Sequence, residues 1–110
     1  YKMTTILTSD NVVFNVHRDL VEDAKLLKQF NEDIGNDCVH LPNVDAGTFL
    51  QMQHFFTYGK LPDYDSVKRV IVAADYVQYD KLVDHCAEYI ATKIIKGWPP
   101  ERIRYYFADL

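Results

Sequence analysis

Between Asp65 and Ile95 the chain reads DSVKRVIVAADYVQYDKLVDHCAEYIATKII, and this stretch decides the fold. Its apolar residues recur at spacings of three and four on both sides of a break near Tyr76–Tyr79. This spacing places them on one face of a helix on each side of the break, so the stretch predicts a helical hairpin. Neither helix can bury its apolar face alone. Each must therefore pack against the other and against the apolar residues of Leu20–Phe30 and Phe49–Phe56.

The length and composition indicate one globular domain. The chain has 110 residues, a size at which a single hydrophobic core forms. Hydrophobic residues make up 48% and charged residues 25%, which argues against disorder and against a membrane-spanning segment. We expect residues 1–62 to form the N-terminal part of this domain and residues 63–110 to form its C-terminal helices.

The net charge and the two cysteines indicate which kinds of partner and which cellular compartment to expect. The net charge is −4 and basic residues are scattered among acidic ones, so neither a nucleic acid nor a membrane is an expected partner. Cys38 and Cys86 are too few for a disulfide framework, and both stand among apolar residues, where a thiol acts as a small hydrophobe. We therefore expect a reducing compartment, the cytoplasm or the nucleus.

The first half of the chain predicts a small sheet. Thr4–Thr8 and Val12–Val16 are rich in β-branched residues and flank Ser9-Asp10-Asn11, which is typical of a tight turn. Cys38–Leu41 alternates like a short third strand. A sheet this small is stable only where helices cover one of its faces.

Further helices are expected over Asp19–Asp33, Ala46–Tyr58 and Pro100–Ala108. The first should end at Gly35-Asn36, and Asp45 should cap the second. Asp63 and Asp65 are expected in the first turn of the next helix, where the helix dipole favours negative charge. Three short strands and five or six helices define an α+β fold.

The chain contains no arrangement of residues suited to catalysis or to a metal. His85 and Cys86 are neighbours in sequence, but adjacent residues on a helix point about 100° apart and do not face each other. The four histidines are not spaced as ligands of a closed zinc site. We therefore expect no enzyme activity, no metal and no cofactor.

Aromatic and acidic residues point to a protein that binds proteins. The chain has eight tyrosines, and tyrosine is enriched in binding patches. Trp98 either holds the last helix against the domain or contacts a partner. Asp80 and Asp84, one helical turn apart, repel each other and hint at a basic partner.

The terminal helix carries Ile103, Tyr106 and Phe107, and no further chain follows to cover them. We expect this helix to leave an apolar patch exposed, and such patches mark binding sites.

Four stretches of the chain, in the same order, resemble signature sequences of one family. They are EDIG at Glu32–Gly35, LPNVDA at Leu41–Ala46, VAADYV at Val72–Val77 and KGWPPERIR at Lys96–Arg104. The family is the F-box-binding adaptor of SCF ubiquitin ligases, which has a BTB/POZ fold and of which Elongin C is a shorter relative.

The resemblance implies a non-catalytic adaptor that bridges a cullin scaffold and an F-box substrate receptor. The residues it places facing the cullin N-terminal domain are His54, Tyr58, Asp75 and Tyr76. The residues it places facing the F-box are Ile94, Ile103, Tyr106 and Phe107. The alternative is a self-associating structural module that dimerises through its bare terminal helix and has no part in ubiquitin transfer.

The chain departs from the family pattern at four places. Asp75 stands where the family usually has Asn, and Asp84–Gly97 is one residue longer. The acidic, proline-rich insertion after the Phe49–Tyr58 helix is absent. The family continues past the equivalent of Phe107 into further helices, so the resemblance implies that the C-terminal helical extension is truncated here.

Overall fold

A computed structural model of the chain describes residues 3–34 and 38–108 and has the predicted α+β organisation. Its strands are β1 (Met3–Leu7), β2 (Val13–His17) and β3 (Cys38–His40), arranged in the order β2-β1-β3. β1 pairs antiparallel with β2 and parallel with β3. The three short strands predicted from the sequence are therefore confirmed.

Alternation along the strands gives the sheet one buried face. Ile6 of β1 lies opposite Val39 of β3, and both are fully buried together with Val16 of β2. The other face carries residues such as Val13, which remains exposed. This alternation is typical of a small sheet that helices cover on one side.

The helices pack on the buried face of the sheet and on one another. Their bounds are α1 Arg18–Asp23, α2 Lys25–Ile34, α3 Ala46–Tyr58, α4 Val67–Tyr76, α5 Asp80–Lys93 and α6 Pro100–Ala108. α4 and α5 form the predicted helical hairpin, and α6 packs against both of them. Within the described ranges, no helix combines the length and the apolar character needed to cross a membrane.

The single helix predicted over Asp19–Asp33 is wrong, because the chain breaks at Ala24 into α1 and α2. Ala24 is buried and its backbone is extended, with φ −103° and ψ 98°. The amides of Lys25 and Leu26 donate to the carbonyls of Gln78 and Val77 at 3.3 and 3.0 Å. The α4–α5 turn therefore supplies acceptors for the first amides of α2. The predicted helix end at Gly35-Asn36 lies outside the described residues.

The predicted N-cap of α3 is confirmed, and the structure adds a second one. Asp45 Oδ1 accepts from the Thr48 amide at 2.9 Å, and Gly59 ends the helix with φ 69°. The added cap is Asp10 of the β1–β2 turn, whose Oδ1 accepts from the Ala46 amide at 3.0 Å. Two carboxylates thus meet the positive end of the α3 dipole.

The acidic residues before α4 lie outside its first turn, contrary to expectation. The helix begins at Val67, and Asp63 Oδ1 accepts from the Ser66 amide at 2.9 Å. Asp63 therefore stabilises the turn that precedes the helix.

The two cysteines lie in different surroundings. Cys86 is fully buried, and burial raises its pKa to about 12. Cys38 is exposed, so the expectation that it stands among apolar residues is wrong. The cause is the alternation of β3, which turns Val39 inward and its neighbours outward.

Candidate protein-binding surface

Asp75 and Tyr76 lie in an open groove of about 850 Å³. The start of α3 contributes Asp45 and Thr48 to its lining, and α6 contributes Phe107. Because residues three and four apart share a face of a helix, one side of α4 lines the groove from Lys68 to Tyr76. We call this space the Tyr76 groove. It combines apolar, aromatic and charged side chains, which is typical of protein-binding surfaces.

His54 and Tyr58 form a separate patch near the end of α3. Their ring centroids are 6.1 Å apart, and the Tyr58 side chain is 75% exposed. Tyr58 lies about 15 Å along α3 from Thr48, given a rise of about 1.5 Å per residue. The four predicted cullin-facing residues therefore form two patches. One contains Asp75 and Tyr76, and the other contains His54 and Tyr58.

The expectation of an exposed apolar patch on α6 is wrong for two of its three residues. Ile103 is 0% exposed and Phe107 is 5% exposed, because α6 packs against α4 and α5. Tyr106 is 51% exposed, and Ile94 is half-buried. Among the four predicted F-box-facing residues, only these last two reach the surface to a substantial degree.

Trp98 packs against α6, which favours its predicted role of holding that helix in place. Its ring meets the Tyr106 ring edge-on at 5.8 Å between centroids. The Arg102 guanidinium carbon lies 4.0 Å from the centroid of the Trp98 ring, a cation–π contact. Tyr106 in turn meets Phe107 edge-on at 5.1 Å. These rings connect the buried and exposed sides of α6.

The cation that pairs with Asp80 and Asp84 comes from the same chain. Arg104 Nη1 donates to Asp84 Oδ1 at 2.7 Å, and its Nη2 donates to Asp80 Oδ1 at 2.8 Å. Lys25 Nζ lies 3.5 Å from Asp80 Oδ2. The acidic pair on α5 is therefore no sign of a basic partner, because α6 folds back and supplies the charge.

A second groove, of about 510 Å³, lies between α5 and α6. Its lining includes Asp75, Asp84, Glu88, Glu101 and Tyr105. Asp75 belongs to both grooves, which meet at the end of α4. The sequence placed Asp75 on a partner-facing turn but carried no sign of this second groove, which α6 creates by its docking.

His85 and Cys86, adjacent on α5, have different surroundings. His85 Nδ1 lies 2.7 Å from the Lys81 carbonyl oxygen, and its ring contacts Phe55 at 5.2 Å between centroids. The buried Cys86 thiol, with its raised pKa, is protonated at neutral pH. Among the described residues, no group of three or more His, Cys, Asp or Glu side chains could hold a metal ion.

The chain is similar to fungal proteins named E3 ubiquitin ligase complex SCF subunit sconC. The relatives from Neosartorya fischeri, Aspergillus clavatus and Aspergillus oryzae are each 27% identical over 132 aligned positions. The match covers 94% of this chain and 83%, 82% and 81% of the respective relatives. A comparison with models of known protein families gave no match.

This similarity has two consequences. The alignment is longer than the 110-residue chain, so the relatives contain residues within the matched region that this chain lacks. The relatives are named as a subunit of a ligase complex, which supports the prediction that this chain is not an enzyme. The chain is thus distantly similar to proteins named as SCF subunits.

Proposed function

We propose that this chain is a non-catalytic adaptor of a cullin-type E3 ubiquitin ligase and that it has a BTB/POZ-like fold. In this role the chain bridges a cullin scaffold and an F-box receptor, in the cytoplasm or the nucleus. The observation that carries the proposal is the similarity to SCF subunits over 94% of the chain. The mechanism is positional. A rigid domain holds two partners at a fixed separation, and no bond is made or broken.

The Tyr76 groove is the proposed contact with the cullin N-terminal domain. Tyr76 offers an aromatic surface with a polar tip, the kind of side chain that dominates binding energy at interfaces. Lys68 and Asp75, which line the same groove, add charges of both signs that can orient a partner. The patch formed by His54 and Tyr58 is a second proposed contact with the same partner.

The exposed side of α6 is the proposed contact with the F-box. Tyr106 reaches the surface there, whereas Ile103 and Phe107 support the helix from below. Ile94, half-buried at the end of α5, is a second proposed contact with the F-box. The self-associating alternative depends on an uncovered α6. The burial of Ile103 and Phe107 leaves this helix less apolar surface for such a contact, which supports the adaptor over the self-associating module.

The cullin contact is tested by isothermal titration of the chain with a cullin N-terminal domain. We expect the unmutated chain to bind and Tyr76→Ala to weaken binding at least tenfold, the size of effect that a central interface tyrosine gives on truncation. Tyr64 provides the matched control. It is 58% exposed, lies between α3 and α4, and lines neither groove.

Tyr64→Ala should leave the affinity within about twofold, since exposed residues outside an interface contribute little. Failure of the unmutated chain to bind would remove the cullin half of the proposal. Equal losses in the two tyrosine variants would show that the groove is not the contact.

A further inference from the structure

The C-terminal helix forms part of the Tyr76 groove. Phe107, on α6, lines this groove together with Asp75 and Tyr76 of α4. Phe107 is only 5% exposed. It therefore forms part of the groove wall and supports α6, and it offers little free surface to a partner. The position of α6 therefore contributes to the shape of this groove.

Two kinds of contact hold α6 against the domain. Ile103 and Phe107 bury apolar surface against α4 and α5. On a different side of the helix, Arg104 reaches Asp80 and Asp84 with separate guanidinium nitrogens, at 2.8 and 2.7 Å. The first contact supplies most of the attraction, because it removes apolar area from water.

The ion pairs fix the orientation of α6, which apolar burial leaves less defined. Hydrophobic attraction is non-directional, whereas the planar guanidinium binds carboxylates in a fixed geometry. Asp80 is also 3.5 Å from Lys25 Nζ, so the connection continues to the start of α2. Arg104 lines the second groove but not the Tyr76 groove.

We propose that Arg104 is a positioning residue for scaffold binding: by holding α6 on Asp80 and Asp84, it places Phe107 as a wall of the Tyr76 groove. This inference rests on the proposed cullin contact. It assigns a role in binding to a residue that lies outside the groove.

The test varies Arg104 and Asp80, the two ends of the ion pair, and measures the affinity of each variant for the cullin N-terminal domain by titration. Arg104→Ala and Asp80→Asn should each raise the Kd about three- to fivefold, the upper range for a partly exposed ion-pair network. The combined loss in the double variant should be smaller than the product of the two single losses, because both changes remove the Arg104–Asp80 pair. Lys93→Ala is the control, since Lys93 is an exposed cation on α5 that lines neither groove.

Two readouts separate positioning from general destabilisation. The ratio of Kd values between Arg104→Ala and the unmutated chain should shrink toward one in concentrated NaCl, because salt screens exposed ion pairs in the unmutated chain. Hydrogen exchange should speed up in α6 of Arg104→Ala at a temperature where the fold remains intact.

The outcomes distinguish the two proposals. If the unmutated chain binds while Arg104→Ala and Asp80→Asn bind equally well, the positioning role is wrong and the cullin contact stands. The positioning role is also wrong if Lys93→Ala loses as much affinity as Arg104→Ala. If the unmutated chain does not bind, both proposals fail.

Discussion

Thr4 and Thr8 are both buried, but their hydroxyl groups differ in what they bind. Thr4 Oγ1 has no hydrogen-bond partner within the described part of the chain. Thr8 Oγ1 donates to Asp10 Oδ1 at 2.7 Å and accepts from the Val12 amide at 3.2 Å. A buried hydroxyl without a partner costs about 1–3 kcal/mol, whereas a satisfied one contributes to stability.

Replacing each threonine by valine should therefore have opposite effects. Thr4→Val keeps the shape and removes an unsatisfied group, so the free energy of unfolding should rise by about 1 kcal/mol. Thr8→Val should lower the free energy of unfolding by about 1 kcal/mol or more, because it removes the hydroxyl that donates to Asp10 and accepts from the Val12 amide. Urea unfolding followed by circular dichroism measures both changes. A decrease for Thr4→Val comparable to that for Thr8→Val would contradict this account.

At the scale of the element, the start of α3 depends on two carboxylates from different parts of the chain. Asp45 accepts from the Thr48 amide, and Asp10 accepts from the Ala46 amide. The hydroxyl and then the amide of Thr48 lower the pKa of Asp45 below its ordinary value of 3.8. The ionised form of Asp45 is therefore the one that stabilises the folded chain.

Asp45→Ala should lower the free energy of unfolding by about 1 kcal/mol near neutral pH, which is the usual effect of losing an N-cap. Asp45→Asn keeps a hydrogen-bond acceptor, so its free energy of unfolding should fall by less. The stabilisation by the ionised carboxylate is complete above the unfolded-state pKa and disappears as pH falls through the lower folded-state pKa. The stability gap between the unmutated chain and Asp45→Asn should thus narrow below pH 3.8. Urea unfolding over a range of pH measures this gap, and a constant gap would contradict the assignment.

At the scale of the whole molecule, the two proposed partner surfaces share α6. Phe107 lines the Tyr76 groove, while Tyr106, the next residue, is exposed on the side proposed for the F-box. Under the adaptor proposal, a partner on the exposed side would leave Ile103 and Phe107 in place and the Tyr76 groove open to a second partner. The adaptor proposal requires this geometry.

Light scattering after size exclusion should show one complex that contains a single copy each of the chain, a cullin N-terminal domain and an F-box peptide. Tyr106→Ala should weaken peptide binding about tenfold and leave cullin binding unchanged, as expected for a central aromatic residue of one interface. Tyr105→Ala, which alters an exposed neighbour that lines the second groove, is the control. A dimer of the chain alone at all concentrations would instead support self-association.

Much of the fold could be predicted because its signals are local. The three-and-four spacing of apolar residues in α4 and α5 depends only on neighbours in sequence, as do the caps Asp45 and Gly59. The positions of Asp75 and Tyr76 at the end of α4 follow from the same pattern. The prediction failed where a residue's environment depends on distant parts of the chain.

The sequence by itself determined the helical hairpin, the small sheet and the place of Tyr76 at the end of α4. Only the tertiary structure decided the break at Ala24, the burial of Ile103 and Phe107, and the use of Arg104 to hold α6. The physical reason is that the α4–α5 turn supplies the acceptors at the break, and that α4 and α5 cover the apolar side of α6. Both contacts join residues far apart in sequence, and they exist only once the elements have packed together.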